Sequence, residues 1–207
     1  MKKSIYLLAV LAITFTACKN ETKSTSEASH SKEMVKEEGG HDHGDHDHGD
    51  MKEDGMMSEK REVTETNQKN DATSPMIDAY LKIKNALVND DKSGAASGAT
   101  DLLKAFSDFD MTKLSKEQHT EYMEILEDAQ EQAEHIVKSP IDHQREHFAT
   151  LSTDINDIIS LVGTSKTLYV DYCPMVKESW LSEAKDIKNP YYGSKMLTCG
   201  SVKKQIN

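Results

Sequence analysis

"SKEQHTEYMEILEDAQEQAEHIVK", residues 115–138, decides the fold. Ser115 precedes Gln118 by three residues, the pattern in which each side chain caps the other's backbone N–H at a helix start. Tyr122, Ile125, Leu126, Ala129, Ala133, Ile136 and Val137 then recur at three- and four-residue steps, with charged residues between them. That period predicts one amphipathic helix with a single buried face. Such a face has to be covered, and the flanking sequence supplies the cover. Ser74-Pro75 opens a second pattern, with Ile77, Tyr80, Leu81, Ile83, Leu87 and Val88 leading to Asn89. Ala95, Ala99, Leu102, Leu103 and Phe106 mark a helix over 92–107, where Gly94 and Gly98 permit a neighbour to approach closely. Ser139-Pro140 starts a fourth helix, striped by Phe148, Leu151, Ile155, Ile158, Ile159 and Val162 and ended by Gly163. Four amphipathic helices on short connections predict an all-α fold, an antiparallel four-helix bundle. Beyond Gly163 the pattern changes to the strand-like "TLYVDYC", a short helix near Trp180 and the turn "NPYYG". Residues 164–207 are therefore expected to form an irregular C-terminal cap.

The N-terminal third differs in kind. Lys2 and Lys3 precede an apolar run from Ile5 to Phe15, followed by "FTAC". The run is too short for a stable membrane span and reads as an export signal over 1–18. The small residues before Cys18 resemble the lipobox of bacterial lipoproteins, which implies cleavage there and a lipid on Cys18. Residues 19–73 hold no Phe, Tyr, Trp, Leu or Ile and carry a net charge of −7. They bury too little apolar surface to offset the entropy of ordering, so a disordered acidic tail is expected. Residues 74–207 remain as one compact domain. The expected location is the cell envelope, lipid-anchored and facing the periplasm. A net charge of −11 for the whole chain argues against a nucleic-acid partner.

Three groups of residues carry chemistry. "GGHDHGDHDHGDM" places His41, His43, His46 and His48 among aspartates, and Met51, Met56 and Met57 follow. Imidazole beside carboxylate suits zinc or copper, held loosely because nothing fixes a geometry. With Cys18 taken by lipid, Cys173 and Cys199 are the remaining thiols. Each has a methionine close by, Met175 in "YCPM" and Met196 in "MLTC". An even pair in an oxidising compartment defaults to a disulfide. Two thiols with two thioethers also make a soft donor set for Cu(I) or Ag(I). Sequence leaves both readings open. His143 and His147 lie one helical turn apart on one face, and from spacing alone they read as two surface histidines. His119 and His135 have less support still. No nucleophile elbow, phosphate loop or HExxH is present, so no catalysis is expected.

"HQREHFATLS", "LYVDYCPM", "WLS" and "IKNPYYGSKMLTCG", taken in succession, resemble the exported domain of unknown function 3347 over roughly residues 75–206. That domain is found in lipoproteins and at the C-terminus of periplasmic adaptors of copper/silver efflux pumps. The resemblance implies a helical domain that handles heavy metals in the envelope, with an efflux system as partner. By motif it implies Cys173, Met175, Met196 and Cys199 as copper ligands, with His147 as a fifth contributor and His143 beside it. Val176, Ile155 and a short stretch between Met175 and Trp180 depart from the family pattern. The alternative function is a disulfide-stapled interaction module that docks on an envelope partner.

Overall fold

A computed structural model describes residues 61–66 and 68–207. Four helices, α1 (Ser74–Val88), α2 (Lys92–Asp108), α3 (Lys116–Lys138) and α4 (Ile141–Val162), follow one another on short connections. Each packs on the next, and α1 also meets α4. The capping box at the start of α3 is formed: Ser115 Oγ accepts from Gln118 N at 3.2 Å, and Gln118 Oε1 accepts from Ser115 N at 3.1 Å. α1 and α2 approach closely at Gly98, where an added Cβ would stand 2.9 Å from the backbone nitrogen of Ile83. Among the described residues, no helix is long and apolar enough to cross a membrane.

The expectation of an all-α fold with an irregular cap needs correction. Residues beyond Gly163 form three strands, β1 (Leu168–Cys173), β2 (Glu178–Ser182) and β3 (Ser201–Ile206), in one antiparallel sheet with order β2-β1-β3. The short helix expected near Trp180 is strand β2. β1 sits in the middle and opposes Asp171 to Trp180 and Cys173 to Glu178. Lys203 is left over in β3 where the pairing shifts between Val170 and Asp171 of β1. β3 is almost wholly exposed, so no apolar alternation marks it in sequence.

An aromatic row ties the sheet to the helices. Trp180 meets Tyr191 edge-on at 5.9 Å, Tyr191 lies 6.0 Å from Phe148, and Phe148 stacks on Tyr80 at 5.0 Å. The Tyr80 hydroxyl also joins α1 to both partners. It lies 2.8 Å from Ser152 Oγ and accepts from Leu181 N at 3.0 Å. A buried phenol needs such partners for its polar end.

Residues 61–66 and 68–73, assigned to the tail by composition, lie against the helices. Arg61 donates to Asp154 Oδ1 at 2.7 Å and to Asp128, and stands 3.5 Å from Asp157. Thr66 N donates to Ser160 O at 2.7 Å, and Thr73 Oγ1 to Gly163 O at 3.0 Å. These contacts are polar, and that is why a count of apolar residues does not register them.

Candidate metal centre

Cys173 ends β1, the hairpin turn to β2 carries Pro174 and Met175, and the loop from β2 to β3 carries Met196 and Cys199. Their meeting depends on Asn189, a fully buried residue. Its Nδ2 donates to Cys199 O at 2.8 Å, and its own N–H donates to Leu197 O at 2.8 Å. Its Oδ1 accepts from the backbone N–H groups of Tyr191 and Tyr192 at 2.8 and 3.2 Å. One amide side chain thus folds 189–199 back on itself. Gly200 completes the bend with φ +148°, and an added Cβ there would stand 2.8 Å from the Trp180 ring. Sequence reading took "NPYYG" only as a turn. The signal that pointed further was Asn189 preceding a proline, a turn initiator whose side chain bonds nearby backbone.

The result is a thiol pair. Cys173 Sγ and Cys199 Sγ stand 2.9 Å apart, and both cysteines are free. Cys173 is buried and Cys199 half-buried. Burial pushes the Cys173 thiol up, but hydrogen bonds from Cys199, from the N–H groups of Val176 and Met175 and from Asn189 outweigh it and hold it below the usual thiol range. Cys199 moves the other way, because its thiol hydrogen is held by Cys173 and because it is partly desolvated. Of the two thiols, Cys173 is therefore the one more readily deprotonated. The thiolate is the form that binds soft metals and attacks disulfides.

Met175 and Met196 lie between the two cysteines in sequence, each within three residues of one of them, and are 62% and 39% exposed. Large apolar side chains held in solvent beside a thiol pair are what a soft-ion site at the surface would need. The structure brings the cysteines together and leaves the two methionine side chains exposed.

His143 and His147 belong elsewhere. Arg145, on the face of α4 turned to the cap, donates to Pro190 O at 3.0 Å. Two residues on, His147 projects about 200° further round the helix. Its Nδ1 lies 2.8 Å from Gln132 Oε1 on α3, and its ring stacks on His135 at 4.4 Å. Burial, then the neighbouring His135, depress its pKa. His143 Nδ1 stands 3.8 Å from Glu146. The place expected for His147 as fifth ligand of the thiol site is thus taken by no histidine, since its ring is committed to α3. Among the described residues, no group of three or more His, Cys, Asp or Glu side chains has metal-holding geometry. Cys18, His41, His43, His46 and His48 lie outside the described residues.

Fold and site together define a helix-rich domain capped by a small sheet that bears a juxtaposed thiol pair. Residues 76–167 match the family described as protein of unknown function (DUF3347). The match spans α1 to α4 and ends before β1, so both cysteine loops lie beyond it. No curated protein and no solved structure matches the chain.

Proposed function

We propose that this protein is an exported, lipid-tethered copper binder of the cell envelope, in which Cys173 and Cys199 jointly hold one Cu(I) ion. The observation that carries this reading is the 2.9 Å approach of two free sulfurs, one of them a thiol held below its usual range, between loops that expose Met175 and Met196. Thiolate and thioether are soft donors and select Cu(I) or Ag(I) over harder ions. The sulfurs are closer than a shared ion permits. Two metal–sulfur bonds of about 2.3 Å at open angles need roughly 3.8–4 Å between sulfurs. Cys199, half-buried on its loop, opens outward by about 1 Å to meet that. The tail histidines and methionines would collect copper or zinc and pass it to this site, and a heavy-metal efflux system is the partner in this scheme.

The close approach also favours a second reading, a disulfide-stapled docking module, because the same pair needs only oxidation to close. Competition for Cu(I) against a coloured chelator separates the two. On the reduced full chain, one tight equivalent should vanish in Cys173→Ser and in Cys199→Ser, each weakening it roughly a hundredfold or more. Unchanged Cu(I) binding in both variants contradicts the copper reading. Intact mass before and after alkylation that shows only a reductant-resistant disulfide supports the stapled module.

A further inference from the structure

The histidines that the fold separates from the thiol pair stand together on the α3–α4 hairpin. His135 and His147 stack face to face across the two helices, with ring centroids 4.4 Å apart and planes within 14°. His143 lies one turn before His147 on α4. Glu131 stands 3.8 Å from His135 Nε2 and Glu146 3.8 Å from His143 Nδ1, which adds negative charge at both ends of the group. Two surface histidines packing on each other would need nothing more. His147 has something more.

Gln132 is almost fully buried, and its Oε1 faces His147 Nδ1 at 2.8 Å. A carboxamide oxygen only accepts, so Nδ1 carries the proton and Nε2 keeps a free lone pair. A hydrogen bond of this kind at one ring nitrogen is how proteins fix the tautomer and the direction of a metal-binding imidazole. His135 is half-exposed and, among the described residues, held by its contact with His147 and a long approach to Glu131, so its ring is free to turn.

We propose that His147 and His135, with His143 as an accessory donor, form a second site for a borderline divalent cation, for which Zn(II) is the probe. Imidazole nitrogens at about 2.0–2.1 Å from one ion lie roughly 3.3 Å apart, so His135 rotates to turn an edge nitrogen toward Nε2 of His147. No third His, Cys, Asp or Glu of the described residues already converges there, so solvent and a carboxylate complete the sphere. The site sits on the face of α4 opposite Arg145 and the cap. It is independent of the thiol pair in position and in chemistry. A protein with both would hold Cu(I) on sulfur and a divalent ion on nitrogen.

The test is a Zn(II) titration of the full chain labelled with 15N-histidine, followed through long-range imidazole correlations. These resolve each ring, so binding by tail histidines or by the thiols does not obscure the result. His147 Nε2 should lose its free lone-pair shift and saturate, together with a ring nitrogen of His135, while Nδ1 of His147 stays protonated. His135→Ala should weaken that saturation. Gln132→Ala should weaken it about 10–100-fold, the range found for partners that orient a ligating histidine, and Gln132→Glu should restore it. A purely structural Gln132 would not be rescued by Glu in the Zn(II) titration. The Cys173→Ser/Cys199→Ser double variant should leave the His135 and His147 shifts unchanged, so the site stands or falls apart from the copper reading. Rings of His135 and His147 that do not move while tail histidines do would overturn the proposal. So would a His135→Ala variant with unaltered His147 saturation.

Discussion

Both carboxylate oxygens of Asp171, in the middle of β1, are fully buried with no hydrogen-bond partner among the described residues. Burial raises the acid to about 6, and the charge of Lys84 only partly opposes this. Asp154 reaches about 6 by the same route, although Arg61 bonds it. An acid whose pKa is higher folded than unfolded binds its proton more tightly in the folded state. Its contribution is therefore complete below the unfolded value near 3.8 and is lost as pH rises through about 6. Asp171→Asn removes the buried charge. It should raise stability at pH 7 by on the order of 1–2 kcal/mol and make no gain at pH 4, as read from denaturant midpoints at the two values. A gain of equal size at both would show that charge burial is not the cause. Little of this is legible from sequence. "LYVDYC" reads as a strand, but the charged face of a strand normally points to water. Only the register that sets Asp171 opposite buried Trp180 reveals the inward carboxylate. Cys173 and Cys199 are the contrary case, because a lone thiol pair in a chain proposed to be exported invites pairing whatever the fold.

At the scale of elements, the helices and β1 were legible, and β2 and β3 were not. Helical period concentrates apolar residues into stripes, and nearly every stripe residue of α1 to α4 is buried. β2 is five residues long, and β3 keeps nearly all its side chains exposed, so neither shows alternation. Residues 61–66 and 68–73 escaped notice because charge and backbone hydrogen bonds, with Val63 as a lone apolar contact, hold them. The loop between β2 and β3 rests on Asn189 and on the left-handed bend at Gly200, beside Cys199. Gly200→Ala introduces both a strained φ and a methyl group against the Trp180 ring. It should destabilise the cap by about 1–3 kcal/mol, with Trp180 emission shifted to the red and helical circular dichroism retained. Equal loss of helix and Trp180 burial would show instead that sheet and bundle unfold as one unit.

Across the whole molecule, the helices form a platform and the sheet presents the chemistry. The aromatic row from Tyr80 to Trp180 fixes the cap, and Arg145 anchors Pro190 beside Asn189. The family match covers the platform, whereas the thiol pair lies in the part beyond it. Helical period therefore revealed the scaffold, and the chemistry had to be read from the spacing of Cys, Met and His. The thiols do meet at 2.9 Å. His147, which spacing alone reads as a surface histidine and only the family resemblance brings to the thiols, faces α3 instead, because the two-residue step from Arg145 is almost a reversal of direction. The central claim is that Cys173 and Cys199 act on one ion together. The most direct measurement is thiol protection: equimolar Cu(I) is added anaerobically to the fully reduced chain, and alkylation of each cysteine is followed by peptide mass. The account predicts that Cys173 and Cys199 become protected in parallel and are released together when a strong Cu(I) chelator is added. Alkylation of both at the rate of the copper-free protein would contradict it.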